Sequence, residues 1–441
     1  MHRLVPIAAW CALSPLNPLT PLPASAAAGT PRAFVGARIV PIVGADIERG
    51  TLIVTDGKIT AVGSVDDVAI PADAERIDVS GKVLMPGLVC THSHVGQVEG
   101  GDDSAPLHPD VRAFDSIDVR HPSFQRAQAG GITTANIMPG SGLLMSGQTV
   151  YVKLKDGGSI DELAIKNADG SIAGGMKMAN GTNPQGAPPM PETRAKGTAL
   201  VREQFLRAQE YRTRRATITD PAKQPPRDLG LEALVDVLDG KRVVHHHTHR
   251  HDDIVTILRL KQEFGFRVVL HHVSEGWMVA DEIARAAVPC SIITVDSPGG
   301  KLEAANLSFE TGATLERAGV LVGYHTDDPI TDSRLFLRSA AIGVRGGMTR
   351  KGALFALTMA GAVMLDLDRR VGSLEPGKDA DFIVLSGDPL SVYTHVEQTW
   401  IEGAKVFDRT DPVDLRFAQG GEGAGDREQL DACCLKPGGE Q

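Results

Sequence analysis

The chain has 441 residues, 42% of them apolar and 23% charged, a globular balance that excludes wholesale disorder and is too long for one ordinary core of ~100–200 residues. Against 45 basic residues stand 55 acidic ones, and the formal charge of −10 is spread without a basic block. Nucleic acid and anionic membrane surfaces are therefore poor partners, which leaves a small-molecule substrate, and a homo-oligomer is compatible with the same balance.

Residues 1–28 differ in texture from the rest of the chain. Met1-His2-Arg3 is weakly basic, Leu4 to Leu13 is mostly apolar, and Ala24-Ser25-Ala26 before Ala27-Ala28 supplies the small residues of a signal-peptidase site. Pro6, Pro15, Pro18, Pro21 and Pro23 depart from that pattern, and the competing reading is an unstructured tail on a cytoplasmic enzyme. The cleavage pattern has a mechanism and the tail has none, so residues 1–28 are expected to be a signal peptide and the protein periplasmic or secreted. The apolar stretch is too short for a permanent span, and no later window reaches the roughly 18–20 apolar residues a membrane helix needs.

From Ala33 to Val83, short apolar alternations separated by Gly and Asp predict hairpin strands, as in Thr51-Leu52-Ile53-Val54 and Lys58-Ile59-Thr60-Ala61-Val62. The same texture returns in Ala380 to Leu385 and Gln398 to Gly403. Residues 29–85 and 366–410 are therefore expected to fold together as one small β-sandwich. Between them the rhythm changes. Arg242 to His247, Phe266 to His272, Val288 to Thr294 and Val320 to His325 read as buried strands, and Asp252 to Phe264, Glu275 to Ala287 and Ser333 to Val344 as the helices between and after them. Repeated β-then-α implies a parallel sheet, and residues 86–365 are barrel-sized, so the expected fold class is α/β, a (β/α)8 TIM barrel. Residues 411–441 read as a polar, Gly-rich tail. The cysteines, five in all, contain no Cys-x-x-Cys spacing, which sets a thiolate zinc knuckle aside.

The apolar run from Val83 ends in His92-Ser93-His94. On a strand, residues two apart share a face, so both imidazoles can reach one ion, and at a strand's C-terminal end they face a barrel's catalytic mouth. His247 ends one later strand, His272 the next, and Asp327 follows the last β-run. Four histidines and a carboxylate at successive strand ends make an N/O site suited to zinc or another first-row divalent metal, manganese and iron included. Scattered surface histidines would not fall repeatedly at strand ends. Within His245-His246-His247-Thr248-His249-Arg250-His251, alternation puts His245, His247 and His249 on one face. His247 is the expected ligand, while His249 and Arg250 lie just above the rim where they would touch substrate.

Pro86-Gly87-Leu88-Val89 before the His-x-His, Gly130-Gly131-Ile132-Thr133-Thr134 and Val371-Gly372-Ser373-Leu374-Glu375-Pro376-Gly377-Lys378-Asp379-Ala380-Asp381 are similar to the amidohydrolase superfamily. A closer likeness, to imidazolonepropionase-related amidohydrolases, rests on Met138-Pro139-Gly140-Ser141-Gly142, on His247 to Ile254 and on His272-Val273-Ser274-Glu275-Gly276. The resemblance runs from about Ala33 to Phe407. It implies a barrel with a composite β-sandwich, metal on His92, His94, His247, His272 and Asp327, and hydrolysis of amide or related bonds. Two departures stand out. Cys90 occupies the place of an Asp two residues before the first histidine, and Gly181-Thr182-Asn183-Pro184 stands where relatives carry Gly-Glu-Asn-Pro, so a carboxylate is expected to be missing. Lys177 is similar in position to a lysine that some relatives carboxylate to bridge two metals, and one or two ions remain open.

A divalent ion lowers the pKa of bound water towards ~7 and polarises the carbonyl it contacts. Asp327 is the expected proton acceptor, and His272 the expected stabiliser of the developing oxyanion if one metal binds. The expected reaction is cleavage of a C–N bond in a cyclic amide, small peptide or acylated amino acid. Deamination or lactone opening on the same machinery is the alternative, because fold and metal do not fix substrate. A non-catalytic metal-binding scaffold fits less well, since every ligand candidate is present.

Overall fold

A computed structural model describes residues 29–98, 100–293, 301–421 and 424. The expected signal peptide therefore lies outside the described residues, as do Cys11, Cys433 and Cys434. The alternating text of both ends becomes one eight-stranded sheet. Its strands are β1 (Arg32–Ile39), β2 (Ile47–Thr55), β3 (Lys58–Ser64), β4 (Glu75–Asp78) and β5 (Val83–Pro86) from the N-terminal side. Further along the chain come β6 (Leu88–Ser93), β7 (Ile132–Ile137), β8 (Met145–Gln148), β9 (Val150–Lys153), β10 (Met176–Ala179), β11 (Val244–Thr248), β12 (Val268–His272), β13 (Cys290–Ile292) and β14 (Val322–Tyr324). The last three, β15 (Phe382–Leu385), β16 (Val396–Ile401) and β17 (Ala404–Asp408), rejoin the first sheet in the order β17-β16-β15-β5-β1-β2-β3, with β4 beside β1. In hydrogen-bonding terms the expected sandwich is one continuous sheet. Its core is aromatic: Phe382 stacks on Trp400 at 5.6 Å, and Phe34 meets both edge-on.

The apolar run from Val83 to Ser93 is shared between two sheets. β5 pairs with β1 and β15, and β6 pairs with β7. The chain crosses at Gly87, where a Cβ would stand 2.2 Å from the Thr133 side chain, so a larger residue would collide with that threonine.

The central strands form two hydrogen-bonded sets, β6-β7-β9 and β14-β13-β12-β11-β10-β8. Pairs β6/β7 and β10 to β14 are parallel, whereas β9 runs antiparallel to β7 and β8 antiparallel to β10. This departs from eight parallel strands. The link from Ile137 to Met145 is too short for a crossover helix, so the returning chain must run antiparallel. It is shared out at Thr149, with β9 on one set and β8 on the other. Between β10 and β11 lie helices Arg194–Thr217 and Leu229–Leu238.

Helix His251–Phe264 matches its expectation and ends at Gly265 with φ +78. The expected helix over Glu275 to Ala287 is instead a 3-10 turn, Gly276–Val279, followed by Ala280–Arg285. Likewise Ser333 to Val344 divides into a 3-10 turn, Ser333–Leu335, and helix Arg338–Arg345. Residues 411–420, read as the start of a tail, carry helix Pro412–Gln419, capped by Asp411 with Pro412 in the first turn, a start signal legible in the sequence. No helix among the described residues is long and apolar enough to cross a membrane.

Candidate metal centre

Three of the expected ligands meet at the end of β6. His92 is its fifth residue and His94 lies just beyond it, and their Nε2 atoms are 3.3 Å apart. Asp327, three residues past β14, puts Oδ1 3.0 Å from each of those nitrogens. The backbone fixes this approach, since the Asp327 N–H donates to the His92 carbonyl at 3.0 Å. His94 Nδ1 is committed to the Met138 carbonyl at 2.8 Å, which leaves Nε2 with its lone pair. Burial first, and then Lys177, drives the His92 imidazole well below the usual histidine range, so it is neutral. Burial alone would raise the Asp327 carboxyl, but contact with His92, His94 and His272 holds it well below the usual carboxylate range. Two imidazole nitrogens and a carboxylate oxygen thus converge on one point, the arrangement in which three protein donors would hold a cation. The donor set suits a first-row divalent ion.

Lys177, fully buried on β10, puts its Nζ 3.1 Å from His92 Nε2. Cys90 does not reach the His92 ring. Its thiol donates to the His92 carbonyl at 3.1 Å and lies 3.3 Å from Thr326 Oγ1, and burial pushes its pKa up to about 11. The residue in the place of the family's Asp therefore holds His92 through its backbone.

Beneath this cluster lies a layer of buried rings. Tyr151 OH meets His245 Nε2 at 3.0 Å, and His245 Nδ1 meets His271 Nε2 at 3.0 Å. His325 Nε2 is 3.2 Å from His272 Nδ1, and its Nδ1 is 2.8 Å from Ser291 Oγ. Burial drives His271 and His272 well below the histidine range and takes His245 and His325 to about 3, so these rings are neutral. If Ser291 donates to His325, His325 Nε2–H donates to His272 Nδ1, and His272 Nε2 must carry a proton. That nitrogen lies 4.0 Å from Asp327 Oδ2.

His247 and His272 do not join the first cluster. His247, on β11, groups instead with His249 and Glu303, their ligand atoms lying within 4.8 Å of one another. His272 lies between the two groups, its ring 4.4 Å from that of His247 and 5.0 Å from that of His249. Arg250, expected at the substrate, is partly exposed and engaged by Asp252 at 2.9 and 3.0 Å. His246 is buried against its neighbour's carbonyl, and His251 is paired with Glu275. A small cavity lined by His272, Ile292, Leu307, Phe309, Tyr324 and Ile342 opens beside the site.

Glu303 is the residue that sequence reasoning missed. The carboxylate absent at Thr182 is supplied from the 3-10 turn Leu302–Ala304, and Glu303 Oε2 accepts the Thr182 N–H at 2.8 Å. A lone Glu in Leu302-Glu303-Ala304 has no periodic signature, and the Thr182 departure was the only hint of a vacancy to fill. His325 stands two residues before Asp327, but its link to His272 depends on strand register that spacing does not give.

The amidohydrolase family model matches residues 83–410. Amidohydrolase TasK of Hapsidospora irregularis is 30% identical over 400 residues, 84% of this chain, and the chain spans 40% of that protein's length. A 5-methylthioadenosine/S-adenosylhomocysteine deaminase of Symbiobacterium thermophilum is 27% identical, over 80% of this chain and 84% of its own. Imidazolonepropionase of Rhizobium rhizogenes is 26% identical, over 80% and 91%, as the sequence resemblance led one to expect. Among solved structures, an amidohydrolase from Thermotoga maritima superposes with a TM-score of 0.80 at 33% identity, over 86% of this chain and all of its own.

Proposed function

The chain belongs to the amidohydrolase family, and from that premise we propose that it is a divalent-metal-dependent hydrolase of a C–N bond in a small amide. The observation that carries the reading is the convergence of His92 Nε2, His94 Nε2 and Asp327 Oδ1 at 3.0 to 3.3 Å. These three residues would hold the ion, with zinc the first choice and manganese or iron compatible with the same donors. When bound, such an ion supplies Lewis acidity and lowers the pKa of water towards ~7.

The chain's own groups do the rest. Asp327 accepts the water's proton and returns it to the leaving nitrogen. His272 Nε2–H, held in that tautomer through His325 and Ser291, donates to the oxyanion that develops on the carbonyl. The substrate classes that fit this reading are a cyclic amide, a small peptide and an acylated amino acid. The finer reading of the fold is a barrel of the (β/α)8 kind, closed where Asp327 N–H meets His92 O. The deaminase relative favours a second reading, in which the same groups release ammonia from a ring carbon; lactone opening has no comparable support.

Stripping the purified protein with a strong chelator is expected to abolish turnover of an amide and dipeptide panel, and zinc or manganese is expected to restore it. Ammonia release from amino-heterocycles separates the deaminase reading. Unchanged turnover in metal-free protein would sink the mechanism.

A further inference from the structure

We propose that the floor of the central strands binds a small amphipathic anion, a monocarboxylate with an unbranched apolar chain. A cavity of about 550 Å³ lies there, at the opposite end of the strands from His92 and Asp327. Val243, Val269 and Leu321 line it at the N-terminal ends of β11, β12 and β14, and Met364 lines it from the last turn of helix Met359–Met364. These four side chains pack on one another as an apolar cluster apart from the main core. The cavity is of the size that small-molecule sites have, roughly 300–1,000 Å³, and its floor offers apolar surface that water alone covers poorly.

Charge gives the second argument. Two cations line the same cavity, and they differ in what holds them. Arg267 is bidentate on Asp366 at 2.5 and 2.9 Å, so its charge is balanced. Lys261 forms no ion pair among the described residues. Its Nζ donates to the Ala286 carbonyl at 3.0 Å, in the turn that also carries the cavity-lining Ala284 and Ala287. An ammonium has three N–H donors and one carbonyl takes one of them. The carbonyl thus fixes Nζ at the wall and leaves two donors for an anion, whose hydrogen bonds would be charge-assisted. Ala286 closes helix Ala280–Arg285, and a helix C-terminus carries only about half a negative charge, too little to neutralise the ammonium. An apolar floor beside one uncompensated cation recognises a single negative charge on an apolar body. A phosphate headgroup would call for a second cation, and Asp366 already holds Arg267.

The site shares no residue with the proposed reaction, so the two are tested apart. Full-length protein is titrated by calorimetry with octanoate, decanoate and dodecanoate, each below its micelle concentration, and with 1-decanol. One equivalent is expected to bind, about tenfold more tightly for every two methylenes added. Decanol is expected to bind about tenfold more weakly than decanoate. Lys261→Met keeps the apolar stem and removes the charge, and is expected to weaken decanoate about tenfold or more while leaving decanol unchanged. Val363 is 37% exposed on the wall of the cavity, so Val363→Trp fills the space without entering the core and is expected to abolish binding of both. Bound metal and amide hydrolysis stay at the wild-type level in both variants. Circular dichroism and Tm identify folded variants; if Lys261→Met does not fold without its bond to Ala286, Val363→Trp and the decanoate–decanol comparison carry the test. The proposal is overturned by the absence of saturable decanoate binding to wild type, by decanol binding as tightly as decanoate, or by a folded Lys261→Met or Val363→Trp with wild-type affinity.

Discussion

His272 and Asp327 both hold left-handed backbone, at φ +69 and +50, although neither is glycine. Such conformations cost of order ~1–2 kcal/mol each and persist only where the surroundings over-determine them. Here the hydrogen bond from Asp327 N–H to His92 O and that from Val273 N–H to Thr248 O hold the two turns. Among the nine non-glycine residues with positive φ in the described residues are thus the two proposed for proton transfer and oxyanion stabilisation. Lys177 raises the other question at this scale. An ammonium cannot ligate a cation, so joining the ligand set would require carbamylation of its buried Nζ. In that case Lys177→Ala is expected to lose metal from the His92 centre and drop kcat by about 100-fold or more, with partial rescue by short carboxylic acids. Metal analysis and a carboxylate titration check this. A variant that keeps both its metal and its rate makes Lys177 a structural residue of β10.

At the scale of elements, β9 is bolted to the terminal sheet. Lys153 Nζ lies 2.9 Å from Asp379 and 2.6 Å from Asp381, all three side chains buried. Burial would raise the Asp379 carboxyl, but Lys153, Lys58 and Arg370 bring it down to about 2; burial leaves Asp381 raised despite Lys153. Lys153→Met removes the cation from buried Asp381 and one of three from Asp379, which keeps Lys58 and Arg370, and is expected to cost about 3 kcal/mol at pH 7, read by denaturant unfolding. The folded pKa of Asp379 is depressed, so its contribution is full above the ordinary value of 3.8 and is lost as pH falls towards 2. The gap between wild type and variant should therefore narrow in acid, and a constant gap would mean the ion pair is not its source.

Elements also show what could be read in advance. Strands with a clear period and a terminal histidine, such as β6, β11 and β12, were legible because alternation and strand-end position are local properties. The antiparallel β8 and β9 were not, because their direction depends on the length of a connection. The division of Glu275 to Ala287 into two pieces was hidden too. Glu275 is drawn instead to His251 at 2.7 Å and Asn306 at 2.7 Å, which are tertiary contacts. In the site, His92, His94 and Asp327 came from the pattern. Glu303 did not, since a residue that contributes one oxygen across a loop leaves no periodic trace.

For the whole molecule, the candidate ligands lie at the C-terminal ends of β6, β11, β12 and β14, the mouth of the central strands, and the terminal sheet takes no part in the site. Residues 1–28 remain a proposed export signal. Mature protein from its native host is expected to begin near Ala27 or Gly29, and N-terminal sequencing that finds Met1 on the soluble cytoplasmic form would reverse that proposal.

Strand β5 has β1 on one side and β15 on the other, with Pro86 opposite Phe382. Translation therefore delivers the two partners far apart in time. While the central strands are being made, β1 to β5 stand as an incomplete sheet with the apolar edge Val83-Leu84-Met85 unpaired. A ribosome that stalls, or a protease that cuts, anywhere before residue 382 leaves that edge open to another chain. The exposure of this edge in a cell is thus set by the order of synthesis, and a chaperone that shields the N-terminal sheet until β15 emerges would keep it from pairing with another chain.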